Sequence, residues 1–281
     1  MKISGFTFCR NTIKYDFPIV ESIRSILPMV DEFIVNVGKS EDDTLELIQS
    51  IGDPKIRILE SVWDESLKKD GLILSQQTNI SLRACTGDWA FYLQADEVVH
   101  EDDLPGLLET MKMVLPKSHV LGLSFRYIHF YGDYFTINPW AYRRAIRIIR
   151  NDGRLESSGD AVGFSIKATG TFLSPRDEEK CLRSGARIFH YGYVKDPKVM
   201  VKKIRYQASR YHGDKLPEDQ AKQLAKDQFD FDRYEILKEF RGKHPQVMQE
   251  RISKARRFRP RRNRWLNWKF YKEVFAHGFK G

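Results

Sequence analysis

A strand-like run followed by a helical stretch recurs along the first 95 residues until four strands and three helical segments stand in line, an order few folds accommodate. Residues 2–9 are rich in β-formers and end at Arg10-Asn11. Pro18 opens a stretch in which Ile19, Val20, Ile23, Ile26 and Leu27 recur at helical spacing, and proline suits a helix's first turn. Residues 32–37 read as a second strand, Leu45 to Ile51 as a second helix and residues 55–60 as a third strand. Residues 74–86 read as a third helix, and residues 88–93 as a fourth strand running into Gln94-Ala95-Asp96-Glu97. Such alternation predicts βαβ units around a mostly parallel, Rossmann-like central sheet flanked by helices. Ligands of these sheets bind outside the carboxyl ends of the strands. Polar residues collect at those ends: Arg10 and Asn11, Asn36 to Asp43, Trp63 and Asp64, and Gln94 to Glu97.

The character changes after residue 120. Residues 121–150 are aromatic and basic with strand-like alternation, 151–163 read as a polar loop, 186–194 as a strand, and the chain from Pro197 as charged helix. This divides the 281 residues into an α/β domain over 1–195 and a helical, basic extension over 196–281. The net charge of +9 suggests a polyanionic partner until it is located: residues 251–281 carry +10 and residues 1–250 carry −1. A neutral body argues against nucleic-acid binding by the whole protein. Cys9, Cys85 and Cys181 are odd in number and far apart, which disfavours a disulfide framework or zinc cluster and suits a reducing compartment. No apolar run reaches membrane-spanning length and the first residues do not read as a signal peptide, so a cytoplasmic protein is expected.

Several motifs invite function and have plainer readings beside it. Gly38-Lys39-Ser40 holds half of a phosphate loop, but Phe33 stands where the first glycine belongs, so a polar turn with Ser40 or Asp42 capping the next helix is the better reading. Glu101, Asp102 and Asp103 suit a helix's first turn, whereas Asp96 and Glu97 at a strand exit have no capping role and suit a hard divalent ion bridging a diphosphate. His190 among apolar strand residues and Asp160 beside glycines each read first as structural.

Taken in order, the pieces resemble the family 2 glycosyltransferases of GT-A fold. The resemblance rests on Phe8-Cys9-Arg10-Asn11, Pro18 with Glu21-Ser22-Ile23, Asp31 to Val35, Gly38 to Thr44, Gln77 and Asn79, Gly87-Asp88-Trp89, and Leu93 to Glu97. It implies transfer of a sugar from a nucleotide-sugar donor to a saccharide or lipid-linked saccharide acceptor with inversion, as in cell-envelope polysaccharide synthesis. It implies donor contacts from Arg10, Asn11, Asn36, Trp63, Gln77, Asn79, Gln94, Ala95, Asp96 and Arg147. A divalent cation, Mn²⁺ or Mg²⁺, would sit on Asp96, Glu97 and His190, with Arg143 or Arg147 helping the leaving group. Asp160 would be the general base, and Trp140 and Tyr142 would stack on acceptor sugars. Two departures stand out: Asn36-Val37 where the family commonly has Asp, and Gln94 in place of the first Asp of its DxD motif. The second implies a weakly bound cation, and together they keep open a non-catalytic nucleotide-sugar or glycan binder.

Residues 251–281 mix arginine runs with Trp265, Trp268 and five Phe or Tyr residues. Docking onto the body, peripheral attachment to an anionic inner membrane face and, least, nucleic-acid binding compete here.

Overall fold

A computed structural model describes residues 1–212, 227–231 and 237–255, so most of the basic segment expected over 251–281 lies outside the described residues. The N-terminal alternation folds as βαβ units: β1 (Ile3–Cys9), α1 (Ile19–Ile26), β2 (Glu32–Gly38), α2 (Thr44–Gln49), β3 (Ile56–Ser61), α3 (Leu72–Arg83) and β4 (Trp89–Tyr92). β1 pairs parallel with β2 on one side and β4 on the other, and β2 pairs parallel with β3. Phe6, Phe33, Val35, Trp89 and Phe91 are fully buried, which explains why these strands read as near-continuous apolar runs. Asp43, not Ser40 or Asp42, stands at the N-cap of α2.

Next come β5 (Glu97–Val99), α4 (Leu104–Val114), β6 (Gly122–Tyr131), β7 (Thr136–Ile137) and β8 (Arg144–Arg150). β8 inserts antiparallel between β4 and β6, so the sheet becomes mixed on this side. Residues 151–163, expected as a polar loop, contain β9 (Leu155–Ser158), which forms a small sheet with β10 (Gly163–Ile166) and β11 (Thr171–Phe172). β12 (Cys181–Tyr193) runs parallel to β6 and antiparallel to β5, placing His190 opposite Glu97 and His129. α5 (Pro197–His212) then crosses back towards the 3₁₀ turn Glu65–Gly71, and β13 (Lys238–Glu239) adds to the edge at β7. The fold is the expected α/β one, a sheet with a parallel half flanked by helices, joined to a mixed half that carries the last strands.

Candidate active site

A cavity of about 320 Å³ opens at the carboxyl ends of β1 and β4. Of the expected residues, Arg10, Trp63, Gln94, Ala95, Asp96, Tyr142, Asp160 and His190 line it. Four further polar residues come from α5: Lys203, Tyr206, Gln207 and Arg210. The helix therefore completes the pocket, although the sequence places it beyond the domain boundary at 195. A larger cavity of about 570 Å³ around Asp16, Lys195 and Arg251 contains none of the expected site residues.

Trp63 is set by Gly38: a Cβ there would lie 2.2 Å from the indole Nε1, so only glycine lets the ring close over the end of β2. Arg10 and Arg210 each place a guanidinium over that ring, at 5.3 and 5.1 Å, and share one carboxylate, Glu65, at 2.7 and 2.9 Å. Two cations on one anion leave the wall positive. Arg10 Nε, Arg210 Nε, Trp63 Nε1 and Tyr206 Oη are buried without an acceptor among the described residues. Buried donors without partners are costly, and here four surround one cavity.

Asp96 follows β4 and turns into the cavity, where Lys203 Nζ meets Oδ2 at 3.1 Å and His190 Nε2 lies 3.7 Å from Oδ1. Burial alone would raise this carboxyl's pKa, but the positive charges beside it, Lys203 foremost, outweigh it and hold the group well below the usual carboxylate range. Lys195 itself is pulled down to about 7, by burial first and then by Lys203. The His190 tautomer is fixed from behind. His129 Nε2–H donates to the Tyr142 carbonyl at 2.7 Å, which leaves its Nδ1 to accept from His190 Nδ1–H at 3.1 Å. Burial holds His129 near 4 and lowers His190, so both rings are neutral, and His190 Nε2 presents a lone pair towards Asp96. Gly192 makes room: a Cβ there would lie 2.8 Å from Asp96 Oδ2 and 2.9 Å from His190 Nε2. An anionic oxygen and an imidazole lone pair in this relation fit two ligands of a divalent cation, with a ligand's oxygens to supply the rest.

Glu97 does not join them. Its side chain is fully buried, accepting from Arg147 at 2.7 and 2.8 Å and from Tyr127 Oη at 2.7 Å. Glu97, expected at the cation, and Arg147, expected at the leaving group, pair with each other instead, and neither is among the residues lining the cavity. Arg147 instead donates onward to the Val162 carbonyl at 2.9 Å, and Gln94 Nε2 to that of Ala161 at 3.3 Å. Together they pin the β9–β10 turn that presents Asp160, in which Ala161 holds a φ of 62°. Among the described residues, the set of three acidic or His groups within 4.8 Å is His100, Glu101 and Asp102, at the start of α4 and not in the cavity.

The remaining expected amides are braces, not cavity walls. Asn36 donates to Gln77 Oε1 at 2.9 Å, which also accepts from Ser61, and both amides are fully buried. Asn79 clamps α3 to β9 through Ser157. Asn11, with a φ of 55°, accepts from the Glu41 amide and ties two strand-end loops together. Trp140 lies on the exposed stretch between β7 and β8 and is not among the residues lining the cavity, whereas neighbouring Tyr142 is.

The chain is thus an α/β protein with a strand-end cavity that gathers an acidic residue, a histidine and several cations. The sequence profile described as Glycosyl transferase family 2 matches residues 18–163, just over half of the chain, and the chain belongs to that family. No curated protein matches it in sequence. Among solved structures it is similar to TarS of S. aureus, at 14% identity and a TM-score of 0.42, over 80% of this chain and 42% of that one. It is similar to residues 1–349 of TarS in complex with UDP, at 14% identity and a TM-score of 0.37, over 80% and 69% of the two chains. Glucosyl-3-phosphoglycerate synthase from Mycobacterium tuberculosis, in complex with Mn²⁺, UDP-glucose and glycerol 3-phosphate, is similar at 22% identity and a TM-score of 0.31, over 46% and 44%. The chain thus spans 42% of the length of TarS and, in two complexes of the synthase, 44% and 61% of that protein. No helix among the described residues is long and apolar enough to cross a membrane.

Proposed function

We propose that the protein transfers a sugar from a nucleotide-sugar donor to a saccharide or lipid-linked saccharide acceptor, with inversion. The observation that carries this reading is the strand-end cavity itself, where Arg10, Lys203 and Arg210 stand with Asp96 and His190. A nucleoside diphosphate supplies the negative charge that such cations pair with. The base or ribose would lie at the Trp63 end of the cavity, and the diphosphate and sugar along Gln94, Ala95 and Asp96.

In the transfer, the acceptor oxygen bonds to the anomeric carbon as the bond from that carbon to the donor's phosphate oxygen breaks. The bonding pair leaves with the nucleoside diphosphate, and the hydroxyl proton passes to Asp160 as general base. Asp160 suits that role because its turn is fixed by Arg147 and Gln94 at the cavity edge. Tyr142, which lines the cavity, would stack on the acceptor. A divalent cation held by Asp96 and His190 would add positive charge beside the leaving diphosphate. The segment 251–281 is proposed to meet the anionic inner face of a membrane that carries the acceptor. Its first residue pairs with the body, Arg251 reaching Asp16 at 2.6 Å and Glu21 at 2.7 Å.

The test is nucleoside diphosphate release from a panel of nucleotide sugars with saccharide and lipid-linked acceptors. Release that depends on both donor and acceptor is expected. Saturable donor binding with no release for any acceptor would favour the non-catalytic reading instead.

A further inference from the structure

This inference rests on the transfer reading and deepens one part of it: how the cavity meets the negative charge of the leaving diphosphate. Lys203 enters from α5, 107 residues beyond Asp96, and its side chain is nearly fully buried. Its ammonium has three N–H groups. One goes to Asp96 Oδ2 at 3.1 Å and one to the Gly192 carbonyl at 2.8 Å. The faces of Phe17 and Tyr193 flank the nitrogen at 4.9 and 5.9 Å. The third N–H has no protein acceptor among the described residues, and Lys203 lines the cavity.

Burying an ammonium is expensive unless it is paired, and Asp96 provides that pairing. The pairing has a second effect. A divalent cation approaching Asp96 and His190 meets a carboxylate whose charge is already balanced, and a fixed positive charge beside it. A strand-exit carboxylate that served a metal alone would gain nothing from such a neighbour.

We propose that Lys203 is a tethered countercation for the donor diphosphate. Its third N–H donates to a phosphate oxygen, so the cavity holds a nucleoside diphosphate without a divalent cation, and a cation on Asp96 and His190 strengthens binding without being required for it. Lys203 is thus a substrate-binding residue and not only a strut between α5 and β12.

The experiment is calorimetric titration of the full chain with UDP, GDP and ADP, in EDTA and in Mn²⁺, for wild type, Lys203→Met and Lys203→Arg, with thermal melts alongside. Wild type is expected to bind one of the three in EDTA within about tenfold of its affinity in Mn²⁺. Lys203→Met should lose about tenfold or more in EDTA, recover in Mn²⁺ and bind Mn²⁺ itself more tightly than wild type. Lys203→Arg should keep metal-free binding, and nucleoside monophosphate affinity should be the same in all three. Unchanged EDTA affinity in a folded Lys203→Met protein would overturn the inference, as would wild-type binding that is lost in EDTA. If methionine at 203 unfolds the chain, the wild-type comparison of EDTA with Mn²⁺ decides. Wild type that binds none of the three in either buffer would remove the donor reading as well.

Discussion

Arg147 and Glu97 face each other through two hydrogen bonds, of 2.7 and 2.8 Å, with neither side chain exposed to solvent. Adjacent carboxylates at the exit of β4 therefore have opposite fates: Asp96 serves the cavity, and Glu97 ties the sheet to the turn bearing Asp160. Removing one partner of a buried pair leaves an uncompensated charge, so Arg147→Met should cost roughly 3–5 kcal/mol in urea unfolding. Arg147→Met with Glu97→Leu should recover much of that loss. Equal stability of the single and double variants would show that the pair is not coupled.

Asp160→Asn keeps the size of the side chain and removes its basicity. Transfer to acceptor should fall by roughly 10²–10⁴-fold while nucleoside diphosphate affinity is unchanged. Turnover like that of wild type would take the base role from Asp160.

Gly192→Ala places a methyl 2.7 Å from His190 Cε1 and 2.8 Å from Asp96 Oδ2. Mn²⁺ and nucleoside diphosphate affinities should both drop by about tenfold or more. The melting midpoint should move by only a few degrees, because the clash falls at the cavity rim and not in the main core. A large stability loss with unchanged affinities would contradict the cradle described for this glycine.

Burial pushes the Cys9 and Cys85 thiols up to about 12 and Cys181 to about 11. At pH 8 the folded protein should therefore react with none of its three thiols on the minutes scale, and all three should titrate after denaturation. Rapid labelling of a native thiol would show that its cover opens.

His244 bridges Tyr191 Oη at 2.8 Å and the Tyr134 carbonyl at 2.7 Å, and burial lowers it to about 4. The unfolded chain takes up a proton at this site near pH 6.5, the folded one near 4. The neutral imidazole's contribution to stability is therefore present above about pH 6.5 and is lost as pH falls towards 4. Thermal midpoints should decline across that window, less steeply in His244→Gln. Parallel slopes would assign the acid limb to other groups.

The four N-terminal strands were legible because strands buried on both faces print long apolar runs, and their polar ends mark the cavity edge. The role of each polar residue was not. Asn36, Gln77 and Asn79 look like ligand contacts along the chain, yet their amides pair with one another or with backbone, which only folding reveals. Asp96 and Glu97 are indistinguishable by position, and the arginine that separates them lies 50 residues away. His129 was passed over because its partner is another ring across a strand pair. The α5 contribution left a trace: Lys203, Tyr206, Gln207 and Arg210 fall at i, i+3, i+4 and i+7, a polar stripe on one helical face. That stripe lines the cavity.

The family match ends at residue 163, before His190, Lys203 and Arg210. The cavity is thus assembled from stretches with different addresses: early strand ends that bring Arg10 and Asp96, and a later strand and helix that add His190, Lys203 and Arg210. The profile by which the family is recognised therefore finds the frame of the cavity and passes over the strand and helix that close it.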